Sequence, residues 1–108
     1  MNNSTPYYTP AVVGRHLARS YSNKLRFNAE TAQFEELQGQ WRPIDDVSFA
    51  RYVHDSINVL LWHASNVGRD AQEELHAMSQ SDVALYEIRN TAAEMLSTAP
   101  QADAEEAE

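Results

Sequence analysis

Four histidines, at positions 16, 54, 63 and 76, are the side chains with the most obvious chemical potential in this chain. No two are three or four residues apart, so no helix offers a pair to one metal ion, and no carboxylate completes a set at ligand spacing. His54 and Asp55 are adjacent and would point in different directions from a helix. Cysteine is absent, which removes thiolate ligands and thiol nucleophiles. No serine stands on a nucleophile elbow. The three glycines, 14, 39 and 68, are too scattered to build a phosphate-cradling loop. Asp45-Asp46 reads as a helix cap, not a catalytic pair. The expectation is a protein that is not an enzyme, with no metal site, no catalytic residue, and no nucleotide or other cofactor.

What remains is charge and aromatic surface. Residues 1–44 hold five bases (Arg15, Arg19, Lys24, Arg26, Arg42) and three acids, a net +2, whereas residues 45–108 hold three bases and thirteen acids, a net −10. The whole chain, at −8, opposes phosphate contact, so weak or no direct nucleic-acid binding is expected. Such polarity suits a protein partner or a head-to-tail contact. The five bases form the candidate partner-binding set. Arg15 and Arg19, four apart on one helix face, would lead it. The alternative is a solvated face in which Arg26 and Arg42 pair across strands to Glu35 or Glu36. Beyond the core, Tyr7, Tyr8, Tyr52 and Trp62 supply aromatic area; Trp62 is assigned to the core, and Tyr7 and Tyr8 to a fold-back on the first helix.

The elements that position these residues follow from hydrophobic period. A length of 108 residues suits one domain, placed at 9–99, after a flexible 1–8 and before a disordered acidic tail at 100–108. Thr9-Pro10 opens a helix over about 10–22, with Val13, Leu17 and Tyr21 on one face. Strands follow at about 24–28, 33–37 and 40–42, joined by Asn-Ala-Glu-Thr and by a Gln38-Gly39 turn. This antiparallel meander needs helices to pack on, and Phe27, Phe34 and Trp41 are its expected anchors, with Gly39 at its turn. Asp45 or Asp46 caps a helix over about 46–67, carrying Ala50, Val53, Ile57, Leu60, Leu61 and Ala64 inward and closed by an αL cap at Gly68. A short helix at 70–78 buries Ala71, Leu75 and Met78. The last, over about 81–98, follows a Ser79/Asp82 capping box and buries Leu85, Ile88, Ala92, Met95 and Leu96. The expected class is therefore α+β, mainly α, with four helices and a three-stranded meander between the first two.

Residues 1–10 lack the basic and apolar regions of a secretory signal, and no apolar run approaches the ~20 residues of a membrane span. A cytoplasmic location is expected, without membrane association.

The order of these features resembles the N-terminal helper domain of the phage, plasmid and poxvirus primase-helicases. Leu17-Ala18, Tyr21 and Leu25-Arg26-Phe27 stand at that family's "LA..Y...LR" helix-to-strand step. Phe34 stands at its aromatic strand, and Leu37-Gln38-Gly39-Gln40-Trp41 where it has "WDG..W", here one residue shorter and without the aspartate. Asp45 and the helix led by Ser81 follow in the same order, so the likeness spans about 12–99. The resemblance implies a module that connects or assists a primase and a hexameric helicase, here as a small protein on its own. The expected function is thus a phage or plasmid DNA-replication accessory acting through protein contacts, with a replicative helicase or primase as partner. The alternative is a small acidic inhibitor from a mobile element that mimics DNA toward a host nucleic-acid enzyme.

Overall fold

A computed structural model describes residues 6–97. The expected disordered tail and the first five residues of the expected flexible N-terminus fall outside the described residues. The chain runs α1 (Pro10–Ser20), β1 (Leu25–Asn28), β2 (Gln33–Gln38), β3 (Gln40–Pro43), α2 (Asp46–Ala64), α3 (Arg69–Ser79) and α4 (Asp82–Leu96). It is an α+β fold, mainly α, with the antiparallel sheet inserted between α1 and α2 in the order β1-β2-β3.

Local chemistry sets the boundaries. The Thr9 hydroxyl accepts from Val12 N–H, and Pro10 follows at the first helical position. Asp45 accepts from Ser48 N–H at 2.8 Å to start α2, and Ser81 accepts from Ala84 N–H at 3.1 Å to start α4. The cap of α4 is therefore Ser81; the Ser79 hydroxyl instead donates to the His76 carbonyl. Between β1 and β2, Asn28 Oδ1 accepts from Glu30 and Thr31 N–H, closing an Asx turn. Gly39, at φ 75°, forms the second turn. Gly68 differs from expectation. Its N–H does close α2 on the Ala64 carbonyl, but at φ 146° it is not αL, and it leads into α3.

The core lies among α1, α4 and the inner face of the sheet, with α2 and α3 completing it. Val13, Leu17, Leu25, Leu75 and Ile88 are wholly inside. Phe49, absent from the expected stripe of α2, is buried and replaces Ala50 as the main contact with the sheet. At Gly14 the two helices approach closely: a Cβ there would stand 2.6 Å from Thr91 Cβ and 2.8 Å from the Ile88 carbonyl oxygen. The second obstacle is backbone, so it cannot rotate away.

The register of the sheet corrects one anchor. Phe27 faces Phe34, and Leu37 faces Trp41. Side chains alternate along a strand, so Phe34 and Leu37 lie on opposite faces. Phe34 is buried against the helices and Phe27 half-buried beside it, whereas Trp41 lies on the outer face under the Arg26 guanidinium, 4.5 Å from the ring centre. Trp41 thus does not clasp α2. Two further expectations fail by helical position. Trp62 is 71% exposed, because it sits two residues from both Leu60 and Ala64 and so on the far side of α2. Met95 is also exposed, since Ala92, Ala93 and Leu96 fill the inward face of α4.

Phe34→Ala should therefore cost about 3–5 kcal/mol and Trp41→Ala only about 1 kcal/mol. Gly14→Val should cost more than 1 kcal/mol, about the range of overpacked cores. Urea unfolding of the three variants measures all three, and an equal loss from Trp41→Ala and Phe34→Ala would contradict the register.

Candidate partner-binding surfaces

The five bases of the candidate set do not form one patch. Arg26 pairs with Glu35 across the strands, Nε to Oε1 at 2.6 Å, and covers Trp41. Asn28 Nδ2 donates to the other carboxylate oxygen of Glu35 at 3.2 Å. This cation is paired on the outer sheet face. Arg42 lies opposite Glu36, on the inner face and exposed. Lys24 borders a polar recess between α1, the sheet and α2, with Tyr21, Glu36 and Tyr52. Arg15 and Arg19 stand exposed one turn apart on α1, and neither has a carboxylate within ion-pair distance among the described residues.

Two interactions beside these bases converge on Tyr52 of α2, one from the sheet and one from the end of α1. The Tyr52 hydroxyl donates to Glu36, whose other oxygen accepts from Gln38 Nε2. The Tyr21 ring meets Tyr52 edge-on at 4.8 Å. Burial, with the Glu36 carboxylate second, pushes the Tyr52 hydroxyl well above its ordinary range. The Tyr52 bond in turn lowers Glu36, and the Arg26 bond lowers Glu35. Sequence reading weighed Arg26 with Glu35 but missed Tyr52 with Glu36. These partners lie sixteen residues apart in chain, and no local pattern links them.

The N-terminal segment adds a contact that no motif signals. Tyr8 N–H donates to Glu74 Oε1 of α3 at 2.8 Å, and the Tyr8 ring packs at the edge of the core, while Tyr7 is exposed. One of the α3 carboxylates is therefore already in use.

A second surface was not foreseen. The N-terminal halves of α2 and α4 leave an apolar groove of about 250 Å3, floored by Phe49, Ala50, Val53 and Leu85. Arg89 borders it. Its guanidinium stands 5.4 Å from the Phe34 ring and 5.7 Å from Phe27, and its hydrogen bond is to the neighbouring Asn90 at 3.4 Å. It forms no ion pair among the described residues. A lone arginine in an amphipathic helix carries no sequence signal for such a position.

Of the histidines, His16 is half-buried, with Nδ1 inside the protein and no hydrogen-bond partner among the described residues. Burial, then the nearby His63 and Arg19, hold its pKa below the ordinary 6.5. No group of three or more metal-ligating side chains is assembled among the described residues. No described helix is long and apolar enough to cross a membrane. The chain matches no family model, no curated protein and no solved structure.

Two pH dependences follow. Glu35 and Glu36 have folded pKa values below the ordinary 4.5, so their contribution is complete above that value and is lost as pH falls through the folded values. Urea midpoints should drop as pH falls below about 5, less steeply in Glu35→Gln. His16 is likewise lowered, so its neutral form favours the fold above pH 6.5, and stability declines as pH falls from there toward the folded value. His16→Asn should flatten the profile between about pH 7.5 and 5.5. An unchanged slope in either variant would contradict the assignment.

Proposed function

We propose that this chain is a non-enzymatic protein-interaction module, a DNA-replication accessory of a phage or plasmid akin to the primase-helicase helper domain. The observation that carries the reading is the pair Arg15 and Arg19: two exposed guanidiniums, one turn apart, with no carboxylate partner among the described residues. The Thr9 cap and the Gly14 crossing with α4 anchor the helix backbone that carries the two cations. A pair of forked donors one turn apart suits carboxylates on a partner protein. Phosphate backbone is a poorer target, because the remaining charge of the chain, −8 in total, repels it. The partner that fits the resemblance is a replicative helicase or primase, met in the cytoplasm.

An acidic inhibitor that mimics DNA would instead use carboxylates of the C-terminal half. The α3 row Asp70, Glu73 and Glu74 is the natural candidate, but Glu74 is committed to Tyr8 N–H. That contact weakens the row as a phosphate mimic.

The test compares two double variants in capture of the replicative helicase or primase from the same source. Arg15→Glu/Arg19→Glu should lower capture at least about tenfold, whereas Asp70→Lys/Glu73→Lys, which spares Glu74, should leave it unchanged. The reverse pattern supports the inhibitor. Parental capture by both variants would show that charge does not carry recognition and would overturn the proposal.

A further inference from the structure

The α2/α4 groove carries polar groups at both ends, and their signs cross over from one helix to the other. Asp46 and Arg89 line both this groove and the recess beside Asp45, so they stand together at one end. The two helices therefore run antiparallel here, and His54 of α2 stands with Asp82 of α4 at the other end. Eight residues separate Asp46 from His54, and seven separate Asp82 from Arg89. These are rises of about 12 Å and 10 Å, so the two sides match in length. None of the four side chains has an ion pair among the described residues. Asp45, by contrast, is taken up by the Ser48 N–H, with Arg51 also acting on it.

Between the ends the surface is apolar, bulky on one helix and small on the other. Tyr86 forms the α4 side and is 64% exposed, while Ala50 lies on the α2 side. Val47 and Val83, three residues before Ala50 and Tyr86, continue the two apolar rows and are 71% and 69% exposed. A contiguous apolar surface of this kind marks a contact site.

We propose that this face is a two-fold interface between two copies of the chain. Turned face to face about an axis along the groove, α4 of each copy lies over α2 of the other. Arg89 then meets Asp46 of the second copy, and Asp82 meets His54 of the second copy. Each pair occurs twice, so Arg89 and Asp46 from both copies close one end as a ring of alternating sign. Tyr86 seats over Ala50 of the second copy, large against small. The matching singles out a second copy as the occupant, because the charges of this surface pair with one another on rotation. The contact is isologous, so it closes at two copies. It goes beyond the partner reading and uses neither Arg15 nor Arg19, so either can fail without the other.

Each copy carries −8, which opposes association, so the test is run at about 0.15 M salt, where charges beyond about 8 Å are screened. Sedimentation equilibrium of the full chain up to about 1 mM should show mass rising toward twice that of the monomer and no further. Arg89→Glu and Asp46→Lys each set like charges opposite one another. Each alone should stay monomeric to at least about tenfold higher concentration than the parent. An equimolar mixture of the two should regain association, since each new charge then faces its opposite, and this also shows that both variants are folded. Tyr86→Glu, at an exposed position, should melt as the parent does and lose association. Trp62→Glu, which removes an exposed ring outside this face, should associate like the parent. A parent that stays monomeric throughout would overturn the proposal and leave the groove to a different protein. So would a mass that climbs past two copies, or association of Arg89→Glu, Asp46→Lys or Tyr86→Glu alone at parental strength. A mixture that stays monomeric, or loss of association in Trp62→Glu, would overturn it equally.

Discussion

One aromatic ring joins the parts of this protein. Phe34 lies flat on Phe49 of α2, with ring centres 3.9 Å apart and planes 13° from parallel. Phe27 of β1 meets it edge-on at 4.9 Å, and the Arg89 guanidinium of α4 covers it at 5.4 Å. Four elements thus touch at a single side chain. A three-stranded meander of strands only four to six residues long has little stability of its own and must bury one face on something else. Area burial supplies most of that attraction, and an aromatic pair adds roughly 0.5–1.5 kcal/mol beyond area. The Tyr52 bond to Glu36 repeats the tie one pleat away on the same face. The sheet is therefore a clasp, and its grip is on α2.

The clasp also decides where charge and apolar surface become available. Because Phe34 lies on the inner face, Glu35 lies on the outer one, where it pairs with Arg26, the cation that also covers Trp41. Arg26 is thereby paired within the sheet, whereas Arg15 and Arg19 on α1 have no ion pair among the described residues. Phe49, stacked on Phe34, also lines the groove between α2 and α4, and Arg89 borders both that groove and the Phe34 ring.

Much of this fold is legible in the sequence, for identifiable reasons. Helices with clean 3,4 spacing and local caps, Thr9 before α1 and Asp45 before α2, need no tertiary information. The three strands and their order follow from turn residues with a local hydrogen-bond role, Asn28 and Gly39. The face of Trp41 does not. It depends on parity across a turn, and a shift of one residue moves the side chain to the other side of the sheet. Trp62 lies off the main stripe of α2, and its helical angle, opposite Leu60, outweighs its hydrophobicity. Phe49 and its neighbour Ala50 both fit the stripe, which is wide enough to admit either until the sheet is docked. Among the surface residues, the spacing of Arg15 and Arg19 was visible, and the pairing of Arg26 with Glu35 was one of two readings. The groove and Arg89 are not visible, since they arise from two helices that start at Asp46 and Asp82 and meet only in the fold.

The direct test of the clasp is a double-mutant cycle on Phe34 and Phe49, each changed to Leu singly and together, with stability read from urea unfolding. Stacked rings should couple, so the double variant should lose less than the sum of the singles, by about 0.5–1.5 kcal/mol. Losses that add within about 0.3 kcal/mol would mean that the rings do not act together and that the sheet is held by something other than this contact.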